Sequence, residues 1–193
     1  MKKARAAACL LVAMSAASAS YATGEIESLI TDADRARLQA FDQTRREAMA
    51  EARSAGAPED VGVLDEIDAR PKLPFTGFDM VGDWQCRTIK AGGAVPLVVY
   101  DWFECRVSDD GSGWRLEKRT GSQRTAGRFF TETETSLTYL GAFHVAGTAA
   151  PAYGAGPDSD QAGLAFRSGE DRWRIEFPLP RYESKFDILE FRR

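Results

Sequence analysis

From Trp84 to the last residue, apolar and polar positions alternate in short bursts broken by turn residues. Trp114, Leu116 and Lys118 alternate with Arg115, Glu117 and Arg119, and Trp173, Ile175 and Phe177 alternate with Arg172, Arg174 and Glu176. That period of two is the signature of strands. Eight segments can be read this way: Trp84–Ile89, Leu97–Val107, Trp114–Thr120, Arg124–Thr131, Ser136–Val145, Ala162–Ser168, Arg172–Phe177 and Lys185–Arg192. The breaks carry turn chemistry in Gly92-Gly93, Asp109-Asp110-Gly111-Ser112-Gly113, Gly121-Ser122 and Gly169-Glu170-Asp171. Short strands with no helical pattern between them predict a sandwich or an up-and-down barrel rather than a parallel sheet. Eight strands would close into a barrel wide enough for side chains or one small ligand. The segment Ala146–Gln161 has no periodicity and two prolines, and reads as a long loop suited to a lid.

Ahead of the strands the pattern is helical. Thr31 is placed as an N-cap, with Asp32 and Asp34 in a first turn that faces the positive end of the helix dipole. No Pro or Gly interrupts the chain from there to Ala55, and Leu38, Phe41, Ala48, Met49 and Ala52 fall on one narrow stripe. Gly56 ends this helix, and Pro58 opens a shorter one carrying Val61, Leu64 and Ile67. The expectation is a helical hairpin on the outside or across one mouth of the β domain, rather than a partner-binding coiled coil. Arg70-Pro71-Lys72-Leu73-Pro74 leads out of it.

The first residues read as an export signal. Lys2, Lys3 and Arg5 precede an apolar run from Ala6 to Ala17, with small residues at cleavage sites near Ala19 or Ala22. The run is shorter than the roughly 20 residues needed to span a bilayer. The expected layout is a signal peptide over 1–22, a helical arm over 23–70 and an antiparallel β-barrel domain over 71–193, exported to the periplasm. Loss of Lys2, Lys3 and Arg5 would leave 22 basic against 29 acidic residues, a net charge of −7. That sign argues against nucleic acid, whose phosphates need clustered Lys and Arg. No second apolar stretch approaches spanning length, so no membrane span is expected in the mature chain.

Gly82-Asp83-Trp84 at the mouth of the first strand, with Arg192 or Arg193 closing the last, resembles the lipocalin-type barrel. That resemblance implies structural roles for Trp84 and Arg192, an arginine packing over the tryptophan face to close one end. Four further stretches resemble an exported bacterial family called domain of unknown function 4893. They are Trp84–Lys90 (WQCRTIK), Pro96–Tyr100 (PLVVY), Trp102–Arg106 (WFECR) and Gly121–Thr125 (GSQRT). That family implies no activity.

Candidate chemistry is sparse. Cys86 and Cys105 are the thiols left after export, and an even pair in an oxidising compartment suggests a disulfide. A tight hairpin at Gly92-Gly93 would set Cys86 opposite Val99 and strand Cys105 six residues away. A bridge therefore requires a turn near Val95-Pro96 or a bent partner strand; otherwise the two are buried thiols. His144, the one histidine, has no partner for a metal site or a nucleophilic triad nearby in sequence and reads as structural. In Thr120–Gly127, Ser122, Gln123 and Arg124 suit a carboxylate or phosphate, although the stretch reads first as a hairpin. Arg87, on a strand, and Tyr139, among the core aromatics, complete the ligand-binding candidates. Charged Arg87, Glu104, Arg106, Glu117 and Arg119 are expected on a solvated face.

No catalytic residue, metal or cofactor is assigned. The function expected is a non-enzymatic binding or structural module holding a small amphipathic ligand in the barrel. The alternatives are a protein-interaction or protease-inhibitor-like module using the acidic arm or the 146–161 loop, and a hydrolase with an arginine-lined anion site in which Arg124 meets a carboxylate. Oligomeric state is open.

Overall fold

The computed structural model describes residues 23–193, so the expected signal over 1–22 lies outside the described residues. Helices α1 (Thr23–Leu29), α2 (Asp32–Gln39), α3 (Phe41–Ala55) and α4 (Pro58–Asp68) precede nine strands. These are β1 (Gly82–Gly93), β2 (Leu97–Val99), β3 (Phe103–Asp109), β4 (Trp114–Lys118), β5 (Gln123–Thr131), β6 (Leu137–Val145), β7 (Asp160–Arg167), β8 (Arg172–Pro178) and β9 (Ser184–Arg192). Each strand from β3 onward pairs antiparallel with the next, and β9 returns to pair with β1 from Gln85↔Arg192 to Gly93↔Ser184. The sheet is thus a closed, eight-stranded up-and-down barrel, with β2 as one extra strand beside the upper half of β1. Closure removes the free edges that an open sheet would expose.

The segment read as one strand over 97–107 is two. Tyr100, Asp101 and Trp102 interrupt it, and the register moves by one residue, from Ile89↔Val99 to Cys86↔Phe103. This bend brings the cysteines together. Trp84 lies opposite Cys105, and Cys86 is the diagonal neighbour, with Cα atoms 5.9 Å apart and sulfurs at bonding distance.

The helix expected from Thr31 to Ala55 also breaks in two. Thr31 caps as read, its hydroxyl accepting from the Asp34 N–H at 3.2 Å. At Ala40 the chain turns, because Leu38 and Phe41 serve different cores. Leu38 packs with Ile26, Leu140 and Ala162, whereas Phe41 enters between Phe166 and Phe186, with ring centroids 6.3 and 5.6 Å away. Beyond the break, Phe41, Thr44, Ala48, Met49 and Ala52 form the buried face of α3. The fully buried Ala48 and Ala52 let this helix lie close against β1, where a Cβ on Gly92 would come 3.3 Å from the Ala48 Cα.

The arm therefore docks on the outer wall of β1, β2, β8 and β9, and the alternation in β8 has a different meaning from the one expected. Arg174 and Glu176 face outward but are buried under the arm, 2% and 0% exposed, as is Glu190 of β9 at 0%. Each carboxylate is paired. Glu176 accepts from Arg174 at 2.6 Å and Arg45 at 2.9 Å, and Glu190 from Arg70 at 2.5 Å and Arg87 at 2.6 Å. Asp68 joins Arg45 and Arg53, linking α3 to α4. Burial alone would raise the Asp68 pKa, but the two arginines outweigh it and leave it lowered.

Removing one partner of a buried pair strands its charge. Arg45→Met is expected to lower unfolding free energy by about 3 kcal/mol. The exposed pair Arg106–Asp83 (41% and 70% accessible) sets the contrast, and Arg106→Met should lose under about 1 kcal/mol. Urea denaturation of the two variants side by side checks the difference.

Candidate functional site

Inward-facing positions fill the lower lumen with Trp84, Leu116, Phe129, Tyr139, Trp173, Ile175, Phe177 and Phe191. Trp173 and Phe191 stack at 3.6 Å, and Trp84 meets Trp173 edge-on at 5.7 Å. Phe75, Phe78 and Met80, on the chain leading into β1, close the lower end from below. Of the two terminal arginines, Arg193 takes the place over Trp84, its guanidinium 3.9 Å from the ring, and donates to the Val81 carbonyl at 2.5 Å. Arg192 lies outside, 3.9 Å over Trp102. Arg87 shares that ring at 4.5 Å and pairs with Glu190, so this ligand-binding candidate belongs to the outer wall under the arm.

Tyr139 marks the upper limit of the apolar lumen. Its ring lies over Gly127 and Gly141, paired in register, and a Cβ on either would collide with it. Thr125 donates its only hydroxyl proton to Gln161 Oε1 at 2.7 Å, so the Tyr139 hydroxyl must donate to Thr125 Oγ1, also at 2.7 Å. The phenol is wholly buried, which pushes its pKa up.

Above this layer the lumen becomes polar. A recess of about 60 Å³ is lined by Thr88, Lys90, Lys118, Arg124, Thr125 and Asp187, among others, and a second of about 100 Å³ by Lys90, Phe103, Lys118, Ser122 and Gln123. The candidates Ser122, Gln123 and Arg124 thus gather at one mouth, with the Tyr139 hydroxyl beneath them. Lys90 and Lys118 join them from β1 and β4. Alternation groups Lys118 with Trp114 and Leu116, but nothing local marks it as a site residue.

The cations differ in their company. Lys90 pairs with Asp187 at 3.2 Å and Glu183 at 3.4 Å. Burial alone would lower its pKa, but the acids outweigh this and raise it. Lys118 is 6% exposed and, among the described residues, meets the Gln123 carbonyl at 2.9 Å and the Phe103 ring at 4.3 Å. Burial, with Lys90 and Arg124 nearby, pulls it from 10.5 to about 8. Arg124 donates Nε to the Gly121 carbonyl at 3.0 Å. Although Asp187 shares the recess with Arg124, it is engaged by Lys90 and by the Ser184 hydroxyl at 2.5 Å. His144 of β6 lies in register with Arg124, Nδ1 3.2 Å from the Thr148 carbonyl and Nε2 buried without a hydrogen-bond partner among the described residues.

A larger hollow lies outside the barrel. Its floor is the outer face of β5 and β6 (Ala126, Phe130, Leu140), one wall is Ala150–Tyr153 of the long loop, and Leu29 of α1 closes an end, enclosing about 600 Å³. The loop is tied to α2 at Tyr153, while its end at Asp158–Gln161 borders the barrel mouth. The Tyr153 hydroxyl donates to Asp34 at 2.8 Å and accepts from the Thr31 N–H at 3.1 Å. Arg115 and Arg128, paired in register, stand at the rim. Arg128 binds Asp110 in bidentate fashion, whereas Arg115 is exposed and meets no carboxylate among the described residues.

A family model described as domain of unknown function (DUF4893) matches residues 27–191. The chain belongs to this family. No curated protein and no solved structure matches it. The DUF4893 match runs from α1 to β9 and so takes in arm and barrel together. Among the described residues no group of His, Cys, Asp and Glu could hold a metal ion, and no helix is long and apolar enough to cross a membrane.

Because Lys118 is held below its unfolded pKa, its penalty is full below about pH 8 and fades as the pH rises towards 10.5. Wild-type stability relative to Lys118→Met should therefore climb across that window, by on the order of 2 kcal/mol. Urea midpoints of both proteins between these limits test this; a flat difference would mean a solvated amine.

Proposed function

We propose that this protein is an exported, non-enzymatic binding module, related in design to lipocalin-type barrels, that holds a small amphipathic anion. The ligand sits in the outer groove between β4–β6 and the 150–153 strap. The observation that carries this reading is the groove itself. Its volume of about 600 Å³ falls within the range of small-molecule sites, its floor is apolar, and at its rim stands Arg115, which has no counter-ion among the described residues. The lumen is less suited to an acyl chain, because aromatic side chains fill its lower part and the recesses above do not exceed about 100 Å³. Three acids of the arm that could serve a protein partner are engaged within the fold, Asp65 and Asp68 on Arg53 and Glu66 on Arg70.

Binding of dodecanoate, read by displacement of a fluorescent fatty acid, tests the proposal. Arg115→Ala should weaken it about tenfold, the value of one charge-assisted hydrogen bond, and Ala126→Phe should block it by filling the floor. Wild-type protein that displaces no probe, or an Arg115→Ala variant that binds equally well, would overturn the reading.

Export rests on the basic start, the apolar run Ala6–Ala17 and the small residues after it. Protein recovered from a periplasmic extract should begin just after Ala19 or Ala22, as N-terminal sequencing would reveal.

A further inference from the structure

At the barrel mouth Lys90 and Lys118 face a polar recess from within, and Arg124, on the outer face of β5 by alternation, borders it from the rim. The recess holds one carboxylate. Lys90 takes that carboxylate, Asp187, together with Glu183 at the rim. The other acids near the opening are also engaged: Asp158 binds Arg181 at 2.9 Å, and the buried Asp160 accepts from the Gly154 N–H at 3.0 Å. Lys118 and Arg124 have no carboxylate among the described residues, and each gives one hydrogen bond to a backbone carbonyl. Strand order explains why: β5, which carries Arg124, is diametrically across the ring from β9, which carries Asp187.

A desolvated ammonium is costly unless it is paired. Lys118 has three N–H donors; the Gln123 carbonyl takes one and the Phe103 ring faces the group. The Thr88 hydroxyl and the Gln123 side chain border the same space, so the recess offers donors around a centre of positive charge, while the Thr125 hydroxyl proton is already given to Gln161. Its volume, about 60 to 100 Å³, suits a few waters or one small oxyanion and excludes an acyl chain.

We propose that the barrel mouth is a second binding site, distinct from the outer groove, which takes a small tetrahedral oxyanion of the phosphate class between Lys118 and Arg124. The oxyanion supplies the counter-charge that the fold withholds from β4 and β5. Lys118 acts as a point charge from the lumen wall, and Arg124 offers a planar fork from the rim. The seat lies on the β4–β5 side, away from Asp187, whose charge would repel it.

The test uses the full mature chain in a buffer free of multivalent anions, with inorganic phosphate and glycerol 3-phosphate as separate probes, read by thermal unfolding and by calorimetric titration. Phosphate should raise the melting temperature saturably in wild type. Lys118→Met should melt higher than wild type without anion, since a buried unpaired charge is gone, and should bind phosphate about tenfold more weakly or worse. Arg124→Gln should weaken binding without that gain in stability. A response to inorganic phosphate alone identifies a free oxyanion, and a response to both probes identifies the head of a phosphomonoester; either supports the site. A wild type that titrates with neither probe overturns it, as does a Lys118→Met variant that binds phosphate as wild type does. Arg115→Ala serves as the control that should leave phosphate binding unchanged.

Discussion

Two carboxylates on the outer wall of the barrel, Glu176 and Glu190, are wholly buried, and much of the architecture follows from satisfying them. A carboxylate sealed from water on a β-sheet face needs cations at hydrogen-bonding distance. The barrel supplies one to each, Arg174 and Arg87, and the arm supplies the second, Arg45 and Arg70. The arm is thus the other half of an ion network whose first half is written on β1, β8 and β9, the strands that close the barrel. The apolar contacts of Phe41 with Phe166 and Phe186 provide non-directional burial energy, while the arginine pairs fix where along the wall α3 and α4 come to rest. A family unit running from residue 27 to 191, across both parts, is what such interdependence requires.

Inside, the division into an apolar lumen and a polar mouth depends on a ring lying flat. Tyr139 can cover the lower aromatics only because Gly127 and Gly141 carry no side chains beneath it, and its hydroxyl is led through Thr125 to Gln161 rather than left unsatisfied. Below that layer there is close packing; above it, charged groups can persist because the rim gives partial access to water.

The parts of this arrangement that were legible in the sequence are those with local signatures. Alternation located every barrel strand, Thr31 announced its helix, and Gly82-Asp83-Trp84 with a terminal arginine marked the closed end, although Arg193 and not Arg192 covers Trp84. What escaped depends on partners distant in the chain. Arg172, Arg174 and Glu176 look like any solvated strand face until Arg45 arrives from 131 residues away. The break at Ala40 has no Pro or Gly to announce it, because two separate cores impose it. At the mouth, Ser122, Gln123 and Arg124 were found through their turn, whereas Lys118 carries no mark of its own: its importance lies in the carboxylate it does not have, and that absence is visible only once the strands are arranged in a ring.

The same charge pattern explains why both candidate sites fall on one side of the barrel. The arm helps neutralise Glu176 of β8 and Glu190 of β9 and covers that wall completely enough to bury them. Across the ring, the β4–β5 hairpin carries Arg115 and Arg128 on its outer face, Arg124 at its rim and Lys118 in the mouth, and among the described residues no helix brings carboxylates to it. Asp110, from the turn beside β4, answers Arg128 alone. A chain acidic overall thus has several of its acids paired with its own arginines on the arm side, leaving a basic hairpin on the far side. On the function proposed, basic charge on a wall that is half apolar outside and half closed inside would select anions by size: a long amphiphile on the open face and a compact oxyanion in the mouth.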